Sequence, residues 1–109
     1  MTATPALPVA EALLLDSLIT PTERGIASRV LAKAAGGNVT LFAFDLGQGL
    51  TEHTTPFDAV VIVLQGLMVL TIGGKTVKAS PGTLVVMPAG VAHALEAEEA
   101  SRMLLVMLK

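Results

Sequence analysis

From Ile26 onward, short apolar runs alternate with Gly, Asn or Pro punctuation. That texture predicts many short strands joined by tight turns. The runs predict strands over 27–34, 39–45, 50–54, 59–64, 67–72, 75–78, 83–87, 92–97 and 102–108. Gly73-Gly74 between two such runs suits a two-residue hairpin, because glycine accepts positive φ without a steric penalty. Residues 1–25 read differently. Pro5, Pro8 and Pro21 interrupt an apolar patch at Leu13 to Leu15 and Leu18-Ile19. They predict an irregular arm over 1–25, with a helical turn around Ala10 to Leu15, packed on a β domain over 26–109.

Several predicted strands do not alternate. Val60-Val61-Ile62-Val63-Leu64 is apolar at every position, as are 84–87 and 103–108. An antiparallel strand with one wet face alternates; one apolar on both faces is covered on both. The expected cover is a second copy, giving a homodimer in which one sheet of each subunit packs on the other. The arm is the alternative cover, and the two are compatible.

Composition sharpens this picture. The 109 residues are 52% hydrophobic and 15% charged, against about 25% charged in an ordinary domain. This excludes a disordered chain and suits one domain. Net charge is −2 with no block of Lys or Arg, which argues against nucleic acid as a partner. Only Phe42, Phe44 and Phe57 are aromatic, too few for base-stacking platforms. Cysteine is absent, so no disulfide, thiol nucleophile or Cys-type zinc site exists. No basic start precedes a long apolar stretch at the N-terminus, which makes a secretory signal unexpected and the cytoplasm the default. The charge-free runs 59–74 and 79–95 are too short and too broken by Gly and Pro for spanning helices, so no membrane partner is expected.

The only histidines, His53 and His93, sit in two spaced frames. The first is Gly47, five residues, His53, one residue, Thr55, then Ala59, six residues, Gly66. The second is Gly82, five residues, Pro88, one residue, Gly90, two residues, His93, three residues, Ala97. Together they resemble the two motifs of the cupin superfamily, G-x5-H-x-H-x3–4-E-x6-G and G-x5-P-x-G-x2-H-x3-N. The resemblance implies an all-β, cupin-type jelly-roll barrel (a double-stranded β-helix) of two antiparallel sheets, preceded here by the N-terminal arm. It also implies a metal centre of three His and one Glu in typical members. Here His53 and His93 match the first and last His. Thr55 stands at the second His, Ala59 at the Glu and Ala97 at the Asn. The metal motif is therefore degenerate.

Full zinc sites contribute about 10–16 kcal/mol. If two ligands kept half, ~5–8 kcal/mol would correspond to dissociation constants from about 0.1 mM to about a micromolar. A divalent metal (Zn, Ni, Fe or Mn) on His53 and His93 is thus expected to be weakly held unless a substrate adds donors. Glu52 and Asp58 neighbour the key positions, but adjacent strand residues face opposite ways, and Asp58 suits a turn cap. The inward set is expected to be His53, Thr55, Ala59, Val61, Val63, His93 and Leu95, a small aliphatic pocket for a small molecule. Met68, Met87, Met103 and Met107 read as adaptable filler rather than a copper or cofactor site. Phe57 is either a lid at the barrel mouth or simple packing. Three functions follow: a small-ligand-binding cupin without assigned activity, a metal-dependent enzyme of dioxygenase or isomerase type using His53 and His93, or a structural or regulatory dimer that acts through its surface.

Overall fold

The computed structural model describes residues 6–109, so the first five residues of the predicted arm lie outside it. Nine strands follow the arm: β1 (Ile26–Ala34), β2 (Gly37–Phe44), β3 (Gly49–His53), β4 (Asp58–Gln65), β5 (Met68–Ile72), β6 (Lys75–Ala79), β7 (Leu84–Met87), β8 (His93–Ala97) and β9 (Ser101–Leu108). They form a five-stranded sheet in the order β1-β2-β9-β4-β7 and a four-stranded sheet in the order β3-β8-β5-β6. Every pairing is antiparallel. The expected all-β barrel of two sheets is what the chain builds.

The core lies between the sheets. Phe44, Ala59, Val61, Val63, Met87 and Met103 from the larger sheet meet Met68, Leu70, Ala79, Leu95 and Ala97 from the smaller. Parity along β4 explains the split. Ala59, Val61 and Val63 are buried, whereas Val60 and Ile62 turn to the outer face and stay partly exposed. The same outer face carries Leu84, Val86 and Leu108, each at least half exposed.

Most strands begin and end within two residues of expectation. β2 starts at Gly37 because that residue already pairs with Ala34 and Leu108. Thr83 stays outside β7, its hydroxyl and amide both bonded to Ser80 O in the preceding turn. The arm departs more clearly. Ala10 has φ 60, which breaks any helical turn through it. The one turn of helix falls later, as a 3-10 turn at Leu15–Ser17. The Ser17 amide and hydroxyl both donate to Leu14 O, at 3.0 and 2.7 Å.

The arm lies against one end of the larger sheet. Asp16 meets Arg102 of β9 at 3.3 Å and accepts from Gln65 at 3.2 Å. Arg29 donates to Leu18 O at 3.0 Å. Pro21–Glu23 share a crevice with Ala43, and at this end the outward-facing Leu41 and Ala43 are buried. The arm thus covers part of the outer face. No helix among the described residues is long and apolar enough to cross a membrane.

Candidate functional site

Both histidines are placed by local devices. His53 ends β3 and pairs with His93, the first residue of β8. Between this pair and the pair Leu50–Leu95, β3 spends three steps and β8 two. That one-residue bulge returns His53 to the inner side already used by Leu50. Bulges re-aim side chains in this way; strict alternation would send His53 outward. On the other strand, Pro88-Ala89-Gly90 makes the turn before His93, with Gly90 at φ 76. The turn is tied to the His53 segment at two points. The Gly90 amide donates to Thr55 O at 2.8 Å, and the Ala89 amide donates to Asp58 Oδ1 at 2.8 Å.

The imidazoles meet edge to face, with ring centres 4.4 Å apart and Nε2 atoms 3.1 Å apart. His93 is buried and His53 is exposed, so the pair opens to solvent on the His53 side. Each Nδ1 faces the carbonyl two residues upstream: His53 to Thr51 O at 2.7 Å, His93 to Val91 O at 3.2 Å. A carbonyl oxygen only accepts, so each Nδ1 carries the hydrogen. Two neutral imidazoles hold two such hydrogens, and both are now spent. In these tautomers the two Nε2 atoms that carry the lone pairs therefore lie 3.1 Å apart. A cation between them relieves the repulsion, and a backbone-anchored Nδ1–H is the usual partner of a metal-bound imidazole. Two nitrogens at about 2.0–2.1 Å from one tetrahedral ion would sit roughly 3.3 Å apart. A shared third proton is the other candidate, and burial opposes it on the His93 ring. Burial holds the His93 imidazole below its ordinary value; Val91 O pushes it up and His53 pushes it further down.

The cavity at the pair is about 20 Å³ and is lined by Leu50, His53, Thr55, Ala59, Met87, His93, Leu95, Met103, Leu105 and Met107. That is room for one water or one ion. Of the expected inward set, His53, Thr55, Ala59, His93 and Leu95 meet here. Val61 and Val63 also turn inward but pack in the core, away from the cavity. The ligand-sized space expected from aliphatic walls is taken up by long side chains. The sequence reading missed Met87, Met103 and Met107 as lining; their shared inward parity was the available signal.

Other candidates are engaged elsewhere. The Thr55 hydroxyl donates to Phe57 O at 2.9 Å within its own turn. Glu52 is exposed and Asp58 caps Ala89. Phe57 lies under the Lys109 ammonium, 5.7 Å from the ring centre, and does not line the cavity. Among the described residues no cluster of three or more His, Asp or Glu exists. The donor set is two imidazole nitrogens with no carboxylate, which fits one ion of low charge or borderline softness better than an oxygen-seeking one.

Residues 40–108 match the Cupin domain family. The chain belongs to the cupins. A conserved protein of unknown function from Streptococcus pyogenes is 37% identical, with a TM-score of 0.89 over 100% of this cupin and 96% of that chain. A cupin superfamily protein from Desulfitobacterium hafniense is 28% identical, with a TM-score of 0.87 over 98% of each chain. An uncharacterized protein of Streptomyces coelicolor is 36% identical over 56 residues, which are 51% of this cupin and 53% of that protein. This cupin therefore matches only about half the length of that curated relative.

Proposed function

We propose that this cupin binds a single metal ion between His53 and His93, with a small molecule from solvent completing the coordination on the His53 side. The supporting observation is the pair of Nε2 atoms 3.1 Å apart, with each Nδ1 committed to a backbone carbonyl. A bound ion would act as a Lewis acid toward that molecule. The chain's own residues orient the two imidazoles, through Thr51 O and Val91 O, and exclude water on the barrel side, through Met87, Met103 and Leu95. No titratable group other than the two imidazoles lines the cavity. The reading is accordingly of a binding site rather than an acid–base enzyme.

Elemental analysis tests it, on protein purified without added metal and again after equilibration with Zn, Ni, Fe, Mn or Cu ions. The expected result is one ion per chain in wild type and none in His53→Ala or His93→Ala. Absence of bound metal in wild type under every loading condition overturns the reading.

We further propose that the uncovered part of the larger sheet's outer face packs on a second copy. Val60, Ile62, Leu84, Val86, Leu104 and Val106 share that face by register. It presents no charge among these positions, so it can meet its own copy across a two-fold axis without like-charge repulsion. Contiguous apolar patches of this kind mark interaction surfaces.

A further inference from the structure

Ala59 stands where the family motif has its carboxylate, and the strands on either side of it carry methionines. Ala59 pairs with Met87 on β7 and with Met107 on β9. Direct cross-strand partners on one face have Cβ atoms about 4.5–5.5 Å apart, and the small Ala59 side chain leaves the space between them open. Both methionines line the cavity that His53 and His93 line. A hard oxygen donor is missing from the row, and two soft thioethers flank its place.

We infer that the cavity is a site for a cuprous ion, held by the two imidazoles and by the thioether of Met87, Met107 or both. The inference rests on the two-histidine metal site proposed above and adds the nature of the ion. Three properties support it. Thioether and imidazole donors select Cu(I), whereas carboxylate and water suit harder ions. The site has no anionic ligand, and desolvation rises with the square of the charge, so a monovalent ion is penalised about a quarter as much as a divalent one. The cavity of about 20 Å³ has room for an ion but not for its hydration shell. Methionine as simple filler accounts for the packing but not for two imidazole Nε2 atoms 3.1 Å apart on the same cavity.

The test is an anaerobic titration of the reduced protein with Cu(I) against a chromogenic Cu(I) chelator. Ag(I) serves as a redox-inert second probe, and Zn(II) and Ni(II) as divalent comparisons. Met87→Leu, Met107→Leu and the double variant keep volume and apolarity. Met68→Leu, in the core and away from the cavity, is the packing control. Thermal melts check that each variant folds. The expected result is one Cu(I) or Ag(I) per chain, bound more tightly than either divalent ion. The double variant should lose more than the roughly 10–100-fold that an outer-shell partner is worth. Zn(II) affinity and the Met68→Leu control should be unchanged. X-ray absorption should show a sulfur neighbour of copper in wild type and Met68→Leu and none in the double variant. Zn(II) or Ni(II) binding as tight as Cu(I), or a double variant that binds Cu(I) like wild type, overturns the cuprous site and leaves the two-histidine site standing. Binding of none of these ions overturns the cuprous site, and if Fe and Mn also fail to bind it overturns both.

Discussion

The glycines of the two motifs do different work, although Gly66 and Gly82 share the same φ of 83. A Cβ on Gly66 would run into Ser101 Oγ and Ala100 O, whereas one on Gly82 would meet nothing within 4 Å. Ser101 cannot give way easily. Its buried hydroxyl donates to Glu99 O at 2.7 Å and accepts from the Leu67 amide at 3.0 Å. Gly82→Ala is expected to cost about 1–2 kcal/mol, the penalty for left-handed backbone. Gly66→Ala adds a clash and should cost about 2–4 kcal/mol. Paired urea melts check the order; equal losses contradict it. Asp45 supplies a pH dependence. Its carboxylate accepts from the Arg24 amide at 2.6 Å and the Leu46 amide at 2.9 Å. The Arg24 bond first, then the Leu46 bond, hold its pKa below the ordinary 3.8. A group lowered on folding stabilises fully above its unfolded value and loses that contribution as pH falls through the folded value. Stability should therefore drop in that acid range, and Asp45→Asn should flatten this part of the profile in denaturant melts.

At the scale of the element, the bulge in β3 is the device that makes the site. Its flanking pairs, Leu50–Leu95 and His53–His93, are both inward, three residues apart on one strand and two on the other. The chain is anchored on both sides, by the Gly49–Glu96 pair and by Gly90 N–Thr55 O. Deleting Glu52 removes the extra residue and restores a regular ladder with the same end points. The expected variant folds and still brings its two imidazoles together, whereas an ordinary strand deletion reverses every downstream side chain. Imidazole nitrogen resonances in NMR spectra check this. Loss of the contact between the rings would show that the bulge is needed for more than register.

At the scale of the whole molecule, the outer face of the larger sheet has two halves. The arm covers the end at Leu41, Ala43 and Arg102, and the end at Leu84 and Val86 is left more than half exposed. Leu84→Lys together with Val86→Lys places like charges on the proposed contact without touching the core. Light scattering should find wild type at twice the chain mass of 11.2 kDa and the double variant at 11.2 kDa. Monomeric wild type at all concentrations contradicts the dimer.

Local patterning alone determined a good deal of this protein. Runs bounded by Gly and Pro marked nine strands, because turns need residues that tolerate their φ values. The spacing of Gly47, His53, Gly66, Gly82, Pro88, Gly90 and His93 marked the cupin barrel and named both imidazoles. The absence of a carboxylate at Ala59 and of a histidine at Thr55 was equally legible. What only the tertiary structure decided is how distant strands share space. Nothing local announces the bulge that turns His53 inward, because strand parity is set by the partner. Met87, Ala59 and Met107 become neighbours only when β7, β4 and β9 pair, across separations that no short pattern spans. The cavity's size and its soft lining are therefore properties of the pairing, while its two nitrogen donors are properties of the sequence.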